Sequence, residues 1–148
     1  MGKRPTLPQE PWAVHYFRRH RTDDSKRSVP ARDFLQNCPP EVRAHLVAVV
    51  KAVAEAPPPR FGGGLQWRAM HGEMRGWFEV RDRHGGWLYR VFCLLEREGA
   101  AIGLGGPSVV LVTGMRKANE SAFTKADYAR VRALGDEYRS RTPRSVLE

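Results

Sequence analysis

Between Arg75 and Leu95, aromatic and β-branched residues alternate with charged ones, and this pattern predicts a β-hairpin. Its two strands are joined by Asp82-Arg83-His84-Gly85-Gly86, whose glycines supply the positive φ that a tight connection needs. Successive side chains point to opposite faces, so Phe78 and Val80 share one face while Trp77, Glu79 and Arg81 share the other. Pairing Arg81 with Leu88 sets Val80 opposite Tyr89 and Glu79 opposite Arg90. Phe78, Val80, Tyr89, Val91 and Cys93 then form one apolar face, and Trp77, Glu79, Arg81 and Arg90 the other. A one-residue slip would mix the two sets. Two arginines and a glutamate in mid-sheet fit an anion-binding surface with its own counter-charge. They also fit a solvated face with a cross-strand Glu79–Arg90 pair.

The rest of the pattern places this hairpin within a larger order. Trp12 to Phe17 is a candidate strand, and Arg18 to Ser28 a charged loop. Ser28 as a cap and Pro30 in a first turn predict a short helix to Gln36. Cys38-Pro39-Pro40-Glu41 breaks and restarts the chain. The next helix runs from Glu41 to about Glu55, with Val42, Leu46, Val49, Val50 and Val53 on one stripe, and Pro57-Pro58-Pro59 ends it. His45 lies beside that stripe and reads as a structural or surface histidine. Phe61 to Gly64 is a flexible loop without the Gly-Lys-Ser/Thr of a phosphate loop.

Leu65 to Met70 is a short strand, and Glu96 to Pro107 a polar, glycine-rich connection. Ser108 to Thr113 is apolar on both faces and predicts a central strand covered on both sides. Gly114 to Glu120 leaves the sheet with two adjacent cations. A capping box at Thr124 and Asp127 opens the last helix. It carries Val131, Leu134 and Tyr138 inward, with arginines at 130, 132, 139 and 141 more exposed.

At 148 residues without repeats, the chain suits one domain, expected over 12–142 between a flexible basic lead (1–11) and a tail (143–148). The charge balance, 25 basic against 16 acidic residues, points to a polyanionic partner, most often nucleic acid. An excess placed for solubility would read the same way. Cys38 and Cys93 match no metal spacing, and Cys93 reads as a small buried hydrophobe. No signal peptide or membrane-length apolar run is found, so the expected location is cytoplasmic, with no membrane partner.

Three local sequences carry a family resemblance. Trp77-Phe78-Glu79-Val80-Arg81 and Tyr89-Arg90-Val91-Phe92 resemble consecutive strands of HigB-like toxins in the RelE/ParE superfamily. Val109 to Lys117 is similar to that family's next strand and its cationic exit, and Ala126 to Leu134 to the helix that follows. The resemblance covers about residues 65–138. It implies an α+β, RelE-like fold: a mainly antiparallel sheet of four or five strands, flanked by two N-terminal helices and a C-terminal helix. It also implies a type II toxin paired with a helix-turn-helix antitoxin, cutting mRNA in the ribosomal A site without metal or small-molecule cofactor. Met115 stands where the family has Phe, Arg116-Lys117 stands for Lys-Lys, and the loop from Glu96 to Pro107 is long.

Metal-free RNA cleavage needs an activated 2′-hydroxyl, charge stabilisation at the phosphorus and a proton for the leaving 5′-oxygen. Arg81, Arg90, Arg116 and Lys117 are expected to converge on one phosphodiester, usually the largest catalytic effect. Glu79 is a candidate base that its arginine neighbours would hold ionised and weak. His71 and His84 belong to the residue type that titrates near neutrality and offer base or acid, as does Lys117 among its cations. Trp67, Trp77 and Trp87 are candidates for stacking on bases or for the core, with Trp77 the best stacking candidate. Trp77, His84 and Lys125 make up the expected RNA-contacting set. Two other readings stay open: a ParE-like toxin that inhibits DNA gyrase, and a non-catalytic RNA- or ribosome-binding module.

Overall fold

Gly85 and Gly86 both have positive φ (57° and 82°), and they alone form the hairpin connection in the computed structural model, which describes residues 10–56 and 66–147. Two consecutive left-handed residues make the tight turn whose twist matches that of paired strands. The strands therefore run to the turn itself, as β3 (Trp77–His84) and β4 (Trp87–Glu96). This corrects the five-residue loop and moves the register by two: Arg81 lies opposite Arg90, Val80 opposite Val91 and Asp82 opposite Tyr89. An even shift keeps every side chain on its expected face.

Around this hairpin stand β1 (Ala13–Tyr16), α1 (Pro30–Gln36), α2 (Pro40–Glu55), β2 (Trp67–Ala69), β5 (Ser108–Ala118) and α3 (Lys125–Arg139). The sheet order is β1-β5-β4-β3-β2, with β1 parallel to β5 and every other pairing antiparallel. The expected class, α+β with a mainly antiparallel sheet between two N-terminal helices and one C-terminal helix, is what the chain forms. The proline stop at 57–59, the glycine loop at 61–64, Leu65 and the lead up to residue 9 lie outside the described residues. Among the described residues, no helix is long and apolar enough to cross a membrane.

Helices α1 and α2 bury Leu35, Val42, Leu46, Val50 and Val53 against Val80, Val91, Val109 and Leu111 on one face of the sheet. Each such side chain contributes about 1.5–3 kcal/mol on leaving water. The other face carries Trp77, Phe92, Leu94, Val110 and Val112 beneath Val131 and Tyr138 of α3. The Ser108–Thr113 run is thus covered on both sides, as its unbroken apolarity requires.

Two local expectations change. The N-cap of α1 is Val29, without a side-chain cap bond. The Ser28 hydroxyl instead donates to Asp24 Oδ2 at 2.7 Å. That bond, with those from the Ser28 and Lys26 amides, holds the Asp24 carboxyl down at about 2. Strand β5 does not end at Thr113 but continues to Ala118 along β4.

The continuation passes through a β-bulge. Cys93 pairs with Leu111 but Phe92 pairs with Thr113, leaving Val112 as the extra residue. The bulge reverses the phase of everything after it. Gly114 and Arg116 face α1 and α2, whereas Met115 and Lys117 face α3. Gly114 has to be glycine, because a Cβ there would run into the Phe34 ring of α1.

Candidate nucleic-acid interface

On the α3 side of the hairpin, Arg81 and Arg90 stand directly opposite each other. Like charges in that position repel, so something must hold them. Glu79 does so in part: it is buried (6% exposed), its Oε2 accepts from Arg90 Nη1 at 3.1 Å, and its Oε1 lies 3.8 Å from Arg81 Nε. Arg90 also donates to Tyr128 Oη at 3.3 Å, and its guanidinium lies 4.5 Å from the Phe123 ring centroid. One carboxylate serves two guanidiniums. Burial, and then Arg90, lower the pKa of Arg81. An anion placed beside Arg81 would relieve both.

Lys117 reaches the same face through the bulge, with Nζ 3.0 Å from Asp127 Oδ2. Asp127 closes the expected capping box: Thr124 Oγ1 accepts from its amide at 3.1 Å, and its Oδ2 accepts from the Thr124 amide at 2.8 Å. Arg130 pairs with its other oxygen. The start of α3 is thereby fastened to the end of β5.

These bonds depress the Asp127 pKa, the Thr124 backbone bond most of all. A depressed carboxylate stabilises the fold at pH values above its ordinary 3.8 and loses that contribution as pH falls through its folded value. Asp127→Asn is therefore expected to cost about 1–2 kcal/mol at neutral pH. Its melting temperature should converge on that of the parent as pH drops below about 4. Circular dichroism melts across that range measure it, and a gap that persists in acid would refute the assignment.

Beside this cluster runs an open groove of about 450 Å³, lined by Arg68, His71, Glu73, Glu79, Lys125, Tyr128 and Arg132 among others. The fold thus brings together Arg81, Arg90, Glu79, Lys117, His71 and Lys125 of the expected site. It separates three others. Arg116 lies on the opposite face, its guanidinium 4.4 Å from the Trp87 ring centroid, so three of the four cations expected to converge share a face. His84, exposed beside the turn, alternates with Glu79 and Arg81 onto that same opposite face. Trp77 is 2% exposed beneath α3, where Gly135 gives it room, and offers no face to a base. Trp67 is likewise buried, whereas Trp87 is 38% exposed.

Sequence reasoning missed Tyr128, Arg68 and Phe123. Arg68 had a signal in strand alternation, since it pairs with Glu79 across β2 and β3. Tyr128 and Phe123 are brought over the arginines only by the docking of α3. On the far face, His45 Nδ1 lies 3.2 Å from Asp82 Oδ2, in keeping with a surface histidine. Among the described residues, no group of three or more His, Cys, Asp or Glu is placed to hold a metal ion.

No known family profile matches the chain, and neither does any curated protein. Among solved structures it is similar to the toxin-antitoxin complex RelBE2 from Mycobacterium tuberculosis. The match has 18% identity and a TM-score of 0.43, and covers 72% of this chain and 99% of that one. A likeness of that size carries no argument about what the chain does.

Proposed function

We propose that this chain is a type II toxin of the HigB-like kind: a metal-independent endoribonuclease that cuts mRNA in the ribosomal A site and is neutralised by a helix-turn-helix antitoxin. The observation that carries the reading is the Arg81–Arg90 pair, opposite in register and sharing one buried carboxylate. Such a pair holds an unneutralised charge in a fixed place, as a phosphodiester gaining charge at its transition state requires. Lys117 adds a third cation on the same face, and Arg68, Lys125 and Arg132 line the groove along which a strand would approach. The net charge of +9 favours a polyanionic substrate, and the motif resemblance over 65–138 points to the ribosome as the setting.

In this reading Arg81 and Arg90 bind the scissile phosphate. Tyr128 Oη accepts from Arg90, so its own O–H is directed away from the guanidinium and is the proton donor for the leaving oxygen. Glu79 and His71 remain the candidates for taking the 2′-hydroxyl proton.

Inducible expression in bacteria with mapping of mRNA 5′ ends tests this. Codon-phased cuts are expected, and they should vanish in the Arg81→Ala, Lys117→Ala double variant. Growth arrest with intact transcripts would instead favour gyrase inhibition. Arg116→Ala should reduce cutting by no more than a few-fold, because its side chain stacks on Trp87 across the sheet. A loss as large as that of Arg81→Ala would overturn the division between the faces.

A further inference from the structure

The opposite end of α3 carries a second concentration of positive charge, which the groove does not use. The loop 18–28 and the segment 141–146 face each other there across an open cavity of about 600 Å³, lined by His20, Arg27, Arg141 and Arg144. Its walls are tied in place. The Arg18 amide donates to Ser145 O at 3.2 Å, the Leu147 amide to Tyr16 O at 2.8 Å, and the Arg144 amide to Ile102 O at 3.0 Å. Arg19 Nε donates to Glu137 Oε1 at 2.8 Å, holding the loop against α3. Gly103, at φ 84°, completes the seam: a Cβ there would meet the Pro143 ring.

Charge balance within this enclosure is incomplete. Arg141 Nη2 pairs with Asp23 Oδ2 at 3.0 Å. Arg144 Nη1 spends its hydrogen bonds on neutral acceptors, the Arg141 carbonyl and Thr142 Oγ1. The Arg27 side chain has no hydrogen-bond or ion-pair partner among the described residues. Of the nearby carboxylates, Asp24 is engaged by Ser28 and Glu137 by Arg19. Among the described residues, the Arg141–Asp23 contact is thus the one ion pair that the three guanidiniums make.

The Nε–H donors of Arg27, Arg141 and Arg144, like those of Arg18 and Arg32, are buried without a hydrogen-bond partner among the described residues, and three of these five gather at this one cavity. His20 Nδ1 accepts from the Thr22 amide at 3.1 Å, which in the neutral ring puts the remaining proton on Nε2 as a donor. Arg27 itself sits at φ 50°, a left-handed conformation uncommon for a side chain of its size. A glycine would adopt it without cost, so the guanidinium is the reason to have arginine there.

We infer that this cavity is a phosphate-binding site, with Arg27, Arg141 and Arg144 as the arginine forks and His20 as an additional donor. Planar guanidinium forks match phosphate oxygens in both geometry and charge. The site does not depend on the groove's being catalytic. Helix α3, 15 residues and about 22 Å long, runs from the groove to this cavity. The phosphate belongs either to the backbone of an RNA strand continuing along α3 or to a free phosphate or nucleotide.

The test is an NMR titration of the full-length chain with inorganic phosphate, following the arginine Nε–H signals, with those of Arg81 and Arg90 as an internal reference for the groove. The signals of Arg27, Arg141 and Arg144 should shift together and saturate on one curve. In Arg27→Gly the shifts of Arg141 and Arg144 should weaken at least several-fold, while the variant melts no lower than the parent. Arg27→Lys, which keeps the charge but not the fork, should fall between them. No movement of the three signals in the parent, or undiminished movement in Arg27→Gly, would overturn the site. A second arm compares a dinucleotide with an oligonucleotide long enough to run the length of α3. With the response to inorganic phosphate in hand, shifts from the longer RNA but not from the dinucleotide assign the phosphate to an RNA backbone, whereas shifts from neither RNA assign it to a free ligand.

Discussion

Replacing Arg81 with alanine is expected to slow RNA cleavage by roughly 10²–10³, equivalent to about 3–4 kcal/mol of transition-state stabilisation. The fold should be almost untouched. Arg81 makes one distant ion pair, 3.8 Å to Glu79, whereas Arg90 holds the same carboxylate at 3.1 Å. Removing Arg81 relieves the repulsion between the two guanidiniums and leaves the Glu79–Arg90 pair standing. Removing Arg90 would strand a buried carboxylate and confuse lost catalysis with lost stability. Arg81→Ala is therefore the clean variant, read by single-turnover cleavage on programmed ribosomes together with a melting curve. A rate within a few-fold of the parent, in a folded protein, would remove the cation pair from the mechanism.

The largest loss of stability is expected from Trp77→Ala, about 3–5 kcal/mol. That corresponds to a fall of roughly 10 °C or more in melting temperature for a domain of this size. The indole fills the space between the sheet and α3 where Gly135 lacks a side chain, and the Arg139 guanidinium lies 5.8 Å from its ring centroid. Truncation leaves a cavity that neither the sheet nor a capped helix can close. Below its melting temperature the variant should bind RNA with the parent's affinity, because the ring touches the core and not the groove. Denaturant melts and filter binding separate the two outcomes. A stable protein that binds RNA poorly would restore Trp77 as a base-stacking residue.

What the sequence made legible was periodic or local. Alternation sorted the residues of β3 and β4 onto the right faces, the valine stripe drew α2, and the Thr124–Asp127 box marked the start of α3. The register escaped because pairing Arg81 with Leu88 and pairing it with Arg90 satisfy the same alternation, the two partners lying an even number of residues apart. The burial of Trp77 escaped for a different reason. A strand's pattern separates two faces but does not say which of them a distant helix will cover, and α3 joins the chain some fifty residues later. Tyr128 and the tail arginines escaped in the same way: Arg141 meets Asp23 across 118 positions of sequence. The bulge left no signal at all, since Val112 is one more valine in an apolar run.

That single additional residue has a consequence for how the strand tolerates change. Without the bulge, the same residues in unbroken alternation would turn the distal half of β5 over, presenting Arg116 to α3 and Lys117 to the outer helices. Because the two cations are neighbours, either phasing still delivers a positive charge to the face where Arg81 and Arg90 stand. The doublet makes the placement of charge indifferent to a frame of one along the strand, while glycine at 114 and methionine at 115 are bound to the phase that the chain has adopted.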